Sequence, residues 1–132
     1  MPHVVNVKVA EIMSRPVITV KADTTIREAA RLLVELGFSA LPVTDAYEVL
    51  VGIVSEDDLV PAAAGSLKTV AEVMTRKVLT VSAASQVSRA ARMMLDEGVK
   101  RVPVVQGRRV VGMLSRRDLA KVIARRDGMS TT

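Results

Sequence analysis

The apolar positions of this 132-residue chain form short β-branched runs and helical stripes, and the same order of them occurs twice. Val17–Val20 predicts a strand. Thr25-Ile-Arg-Glu28 then has the spacing of a helix capping box, and Ile26, Ala29, Ala30 and Leu33 share one helical face. Gly37 is the expected stop of that helix. Leu41–Thr44 and Val49–Val54 predict two strands around an Asp45–Glu48 turn. A further helix starts near Glu56, and Pro61 is expected to cut it short, because proline lacks a backbone donor and clashes with the preceding turn. Residues 61–66 then read as a linker.

The second half repeats this plan. Val9-Ala-Glu-Ile-Met13 recurs as Val70-Ala-Glu-Val-Met74, an offset of 61 that also pairs Val17–Val20 with Val78–Val81, Gly37 with Gly98 and Pro42 with Pro103. The offset falls to 60 for Gly52 and Gly112, Ser55 and Ser115, and Asp58 and Asp118, so one residue is lost at a turn that tolerates it. On the second helix Val87, Ala90, Ala91 and Met94 carry the stripe. Gln86 and Arg89 stand where Thr25 and Glu28 stood, so Ser85 is the expected cap. The last helix is expected from Arg116 through Arg125. The chain is a duplication of strand–helix–strand–strand–helix units, an α+β class, with repeats at 8–63 and 68–126 and a polar tail at 127–132.

Composition narrows the chemistry. Hydrophobic residues make up 49% and charged residues 25%, as in a folded, soluble domain. The chain has no cysteine and a single histidine, His3, which removes thiolate chemistry and leaves no Ser/His/Asp or Cys/His constellation. No apolar run reaches the roughly 18 residues of a membrane span, and Met1–Lys8 lacks the layout of a signal peptide. The expectation is a cytoplasmic protein that is not an enzyme, has no membrane partner and needs no obligatory cofactor or metal. Glu56-Asp57-Asp58 offers three carboxylates, but adjacent side chains at a helix start do not converge on one ion.

The net charge of +5 is unevenly distributed: residues 1–66 carry 5 basic and 9 acidic groups, and residues 67–132 carry 14 and 5. A basic second half suits an anionic partner. Single-stranded nucleic acid is disfavoured, because Phe38 and Tyr47 are the only aromatic residues on which bases could stack.

The ordered motifs resemble a pair of cystathionine β-synthase (CBS) domains, a Bateman module, over about residues 8–126. They are Met13 before the first strand, Gly37-Phe-Ser-Ala-Leu-Pro-Val43 and Gly52-Ile-Val-Ser-Glu-Asp-Asp58, and again Gly98-Val-Lys-Arg-Val-Pro-Val104 and Gly112-Met-Leu-Ser-Arg-Arg-Asp118. The resemblance implies two βαββα units related by a pseudo-twofold axis and packed through their sheets. It also implies adenosine ligands as regulators, with ATP, ADP or AMP ranked ahead of S-adenosylmethionine or NAD. With no enzyme or channel in this sequence, the signal is expected to pass to a separate effector protein, and a homodimer is expected.

By the same resemblance each ligand cleft takes its adenine contacts from one repeat and its ribose and phosphate contacts from the other. Cleft A would use Val17, Ile18, Phe38, Ser39, Ala40 and Pro42 with Ser115, Arg116, Arg117 and Asp118. Cleft B would use Val78, Leu79, Val99, Lys100, Arg101 and Pro103 with Ser55, Asp57 and Asp58. An ionised aspartate accepts both hydroxyls of a ribose diol, and a serine at a helix start suits a phosphate. Arg116 and Arg117 favour phosphates in cleft A, which is the expected tighter site; Glu56 and Asp57 cancel part of the attraction in cleft B. Other readings stay open. Both Ser-x-x-Asp segments are also ordinary helix caps, Phe38 also fits a core position, and Lys100-Arg101 also fits a solvated surface. The second function class is a ligand-free scaffold, or a nucleic-acid binder acting through the basic half.

Overall fold

A computed structural model describes residues 6–65 and 67–130, so His3, Ser66 and the end of the expected tail, residues 131–132, lie outside it. In order the elements are helix α1 (Val9–Ile12), strand β1 (Val20–Lys21), helix α2 (Ile26–Leu36), strands β2 (Ala40–Thr44) and β3 (Leu50–Ser55) and helix α3 (Glu56–Ala63). A 3-10 turn at Val70–Glu72 opens the second set: strand β4 (Val81–Ser82), helix α4 (Val87–Glu97), strands β5 (Arg101–Gln106) and β6 (Arg109–Ser115) and helix α5 (Arg116–Ser130).

Two compact units result, one of residues 18–78 and one of residues 1–17 with 79–132. Each holds a three-stranded sheet, β1-β2-β3 or β4-β5-β6, with the first pair parallel and the second antiparallel. The register of β2 and β3 shifts between Val43 and Thr44, and that of β5 and β6 between Val104 and Val105. The duplication therefore extends to the irregularities of the ladder.

The units do not simply follow the two repeats. In the first, Val70 donates to the Thr24 carbonyl at 2.8 Å, and Val70 and Met74 join the buried cluster of Val20, Ala29, Leu33, Leu41, Val43 and Val54. In the second, Val9 donates to Ser85 at 2.8 Å and Val87 to Val7 at 2.8 Å. Val7 and Val9 are there buried with Val81, Val87, Ala90, Met94, Val102, Val104, Leu114 and Val122. Each core is closed by the segment that opens the other repeat.

Local expectations meet mixed outcomes. Thr25 caps α2 by accepting from Glu28 N–H at 3.1 Å, but the Glu28 carboxylate turns to Arg31 at 2.6 Å instead of completing the box. The adjacent guanidinium holds the Glu28 carboxyl below its usual range. Gly37 and Gly98 end α2 and α4 with φ of +70° and +67°, the left-handed conformation that glycine adopts without strain. Ser85 is not the cap of α4: Gln86 holds that position without a side-chain bond, and the Ser85 carbonyl serves Val9. The expected strands Val17–Val20 and Val78–Val81 give way to Val20–Lys21 and Val81–Ser82, so that of each run only its last residue, Val20 or Val81, aligns with β2 or β5. Pro61 sits inside α3, which ends two residues later at Ala63, while its twin α5 runs on past Arg125 to Ser130.

Core and surface on α2 separate cleanly: Leu33 is 2% exposed and Val34 is 79% exposed. Leu33→Ala is expected to cost about 3 kcal/mol in urea unfolding, and Val34→Ala less than about 0.5 kcal/mol. Equal losses would contradict the packing described.

Candidate functional site

The chemistry-bearing groups gather where β3 runs into α3 and β6 into α5. At the start of α5, Asp118 Oδ2 accepts from the Ser115 N–H at 2.9 Å and from Ser115 Oγ at 3.1 Å, and Asp118 N–H donates back to Ser115 Oγ at 3.2 Å. This is the helix cap the sequence offered, with the carboxylate folded back onto the entering chain. The capping reading is therefore correct for both Ser-x-x-Asp segments, since Ser55 and Asp58 repeat it at 2.8, 3.0 and 3.3 Å.

The cap is not the whole arrangement. Ser14 Oγ, 104 residues away in the chain, donates to Asp118 Oδ1 at 3.0 Å. Thr75 occupies the equivalent place in the other unit, its Oγ1 3.4 Å from Asp58 Oδ1. Sequence reasoning missed both hydroxyls. The available signal was the repeated pair Met13-Ser14 and Met74-Thr75, each a hydroxyl residue directly after the repeated methionine.

Backbone pairing brings these hydroxyls in. Ser14 N–H donates to Met113 at 2.8 Å and Met113 N–H to Ser14 at 3.1 Å; Ile53 and Thr75 exchange the same two bonds at 2.9 and 2.8 Å. The approach demands glycine alongside. A Cβ on Gly112 would stand 2.6 Å from Met13 Sδ and 3.1 Å from the Ser14 carbonyl, and one on Gly52 would stand 2.7 Å from Met74 Sδ and 2.9 Å from the Thr75 carbonyl.

The two carboxylates differ in exposure. Asp118 is buried, at 6% exposed, whereas Asp58 is half-buried. A cavity of about 320 Å³ adjoins Asp118, lined also by Ile12, Lys121, Ala124 and Arg125. Arg116 faces a different space, a groove of about 490 Å³ between α4 and α5 that it shares with Val99 and Leu119.

The other assigned residues distribute as follows. The unit of residues 18–78 holds Ile18, Phe38, Ser39, Ala40, Pro42, Ser55, Asp57, Asp58 and Val78. There Ala40 pairs with Ser55, and the Glu56 N–H donates to the Ser39 carbonyl at 3.0 Å. Its twin unit holds Val17, Leu79, Val99, Lys100, Arg101, Pro103, Ser115, Arg116, Arg117 and Asp118, with Arg101 paired to Ser115 and Arg116 N–H donating to Lys100 at 3.0 Å. Each unit thus holds residues assigned to both clefts. Phe38 is 43% exposed and outside the core cluster. Ser39 Oγ is buried without a hydrogen-bond partner among the described residues, an orphan that a ligand acceptor would satisfy. Among those residues no group of three or more His, Cys, Asp and Glu side chains could hold a metal ion, and no helix is long and apolar enough to cross a membrane.

The model of the CBS domain matches this chain twice, at residues 9–65 and 70–125. The chain belongs to the CBS domain family. Among solved CBS structures it resembles the domain pair of protein MJ0100 in complex with 5′-methylthioadenosine and S-adenosyl-L-methionine. The identity is 35%, the TM-score 0.80, and the match covers 89% of this chain and 96% of that one. CBSX2 in complex with AMP is 29% identical, with a TM-score of 0.82 and coverage of 89% and 96%. A sequence relative, the L-aspartate semialdehyde sulfurtransferase of Methanocaldococcus jannaschii, is 36% identical over 86% of this chain. The chain spans only 23% of that enzyme's length, and about a quarter of the length of two homoserine O-acetyltransferases that it also resembles.

The glycine requirement is directly measurable in this CBS pair. Gly52→Ala sets a Cβ against a backbone carbonyl that cannot rotate away, and is expected to cost about 1–3 kcal/mol in chemical denaturation. Gly65→Ala, where the nearest atom would be 3.6 Å off, is expected to be nearly neutral. A neutral Gly52→Ala would mean that the Met74-Thr75 segment is not held against β3.

Proposed function

We propose that this CBS pair is a cytoplasmic regulatory module that binds an adenosine nucleotide and passes the resulting conformational change to a partner protein, without catalysing a reaction. One observation carries the reading: a buried aspartate, Asp118, held at a helix start by Ser115 and met by the Ser14 hydroxyl. A carboxylate so fixed accepts two ribose hydroxyls with little reorganisation, while the dipole of α5 favours a phosphate nearby. Asp58, with Ser55 and Thr75, is the second ribose acceptor. Adenine edges are read by backbone and apolar groups of Phe38–Pro42 in one unit and of residues 99–103 in the other, with Val17, Ile18, Val78 and Leu79 as apolar walls. The AMP bound by CBSX2 and the adenosyl compounds bound by the MJ0100 pair support this ligand class.

Calorimetric titration of nucleotide-free protein with AMP, ADP, ATP, S-adenosylmethionine and NADH tests the reading. Saturable binding is expected, with Asp118→Ala weakening one site by about tenfold or more, the effect of losing hydrogen bonds to a charged group. Folded protein that binds none of the panel would sink it. Polyanion binding that is steeply salt-dependent and indifferent to Asp118 would favour the nucleic-acid alternative instead.

The partners of this reading include a second copy of the chain. The α4–α5 groove is apolar, and Leu95 and Ile123 at its edge are 73% and 47% exposed. Apolar side chains grouped this way favour self-association. Sedimentation is expected to show a dimer that Leu95→Asp converts to monomer with the fold retained. A monomeric wild-type protein would refute the dimer and leave the ligand reading untouched.

A further inference from the structure

The two units duplicate the geometry of the aspartate but not the charge around it. Residues 116–125 carry four cations and one anion, while their counterparts 56–65 carry three anions and no cation. The contrast extends past the first helical turn. Lys121 and Arg125 stand on α5 three and seven residues after Asp118, so all three share a face, and all three line the cavity of about 320 Å³. At the twin positions stand Pro61 and Gly65, which supply no charge.

From this cavity we infer that the pair sorts adenosine ligands by charge: the Asp118 unit takes the phosphorylated one, with its phosphate chain received between Lys121 and Arg125, and the Asp58 unit takes an unphosphorylated adenosyl compound. The inference rests on the proposed function, since it assumes that a ribose sits at each aspartate. Its chemistry is Coulombic. An ATP tail carries several negative charges, and two cations beside a buried carboxylate offset the repulsion that Asp118 alone would exert. On α3 no cation compensates, and Glu56 and Asp57 at the helix start add to the repulsion. A neutral adenosine, or an adenosyl compound bearing a cation, meets no such penalty there. Lys121 and Arg125 are exposed, so their replacement is expected to leave folding nearly unchanged.

The test compares ATP with adenosine by calorimetry on the full chain. Two variants locate the sites, Asp58→Asn and Asp118→Asn, and one double variant, Lys121→Ala with Arg125→Ala, probes the cavity. Adenosine is expected to bind wild-type protein and the double variant within about twofold. ATP is expected to bind at one site only, to be lost in Asp118→Asn and retained in Asp58→Asn. In the double variant ATP should weaken by about tenfold. Raising salt should narrow the ATP difference between wild type and double variant, because exposed charges are screened. ATP affinity unchanged in the double variant, or ATP bound equally at both aspartates, would overturn the sorting while adenosine binding kept the proposed function intact. Failure of both ligands on folded wild-type protein would overturn the two together.

Discussion

The paired backbone bonds between Ser14 and Met113 are the constraint on which the rest of the candidate site depends. They seat a segment from the start of the chain against β6, and Gly112 is bare at that point because any side chain would meet Met13. Only with the segment seated does the Ser14 hydroxyl reach Asp118. A helix cap, which by itself serves the helix, thereby becomes a fixed acceptor with a second polar group beside it. The Thr75–Ile53 pairing against Gly52 produces the same arrangement around Asp58. A duplicated backbone contact underlies a duplicated aspartate–hydroxyl arrangement.

That contact also explains how the cores close. Val7 and Val9 bury themselves in the cluster around Val102 and Leu114, and Val70 and Met74 do so around Leu41 and Val54. A sheet of three strands with two helices leaves apolar surface uncovered, and an adjoining segment removes it from water. The same short stretches therefore complete the core at one end and deliver a hydroxyl to the aspartate at the other. Stability and the geometry of the candidate site are coupled through about six residues on each side.

Charge is free of these constraints. The positions that differ most between the units, Arg116, Arg117, Lys121 and Arg125 against Glu56, Asp57, Pro61 and Gly65, lie outside the cores. Side chains on a solvated helix face contribute little to folding, so duplication could preserve the framework while the electrostatics of the two copies diverged. Asp118 is the buried member of the aspartate pair and has the closer hydroxyl neighbour, Ser14 at 3.0 Å against Thr75 at 3.4 Å.

Local patterns made much of this legible. The stripes of Ile26–Leu33 and Val87–Met94 are helices with their glycine stops, and both Ser-x-x-Asp caps form, because periodicity and capping act over three or four residues. Local rules failed where another partner competed: Glu28 left its capping box for Arg31 on the same helix, and the carbonyl of Ser85 was taken by Val9. Val17–Ile18 found no strand to pair with. The sequence alone determined the strand–helix–strand–strand–helix order of each repeat, the duplication, the family and the positions of the two aspartates, each written in neighbouring residues or in a repeat at fixed offset; the helix at Val9–Ile12 and the 3-10 turn at Val70–Glu72 were not among the expected elements. Only the tertiary structure decided that residues 7–17 complete the core of the second repeat and that Ser14 meets Asp118. That pairing spans 104 positions, and no short-range pattern specifies which distant backbone will fill the edge of a strand.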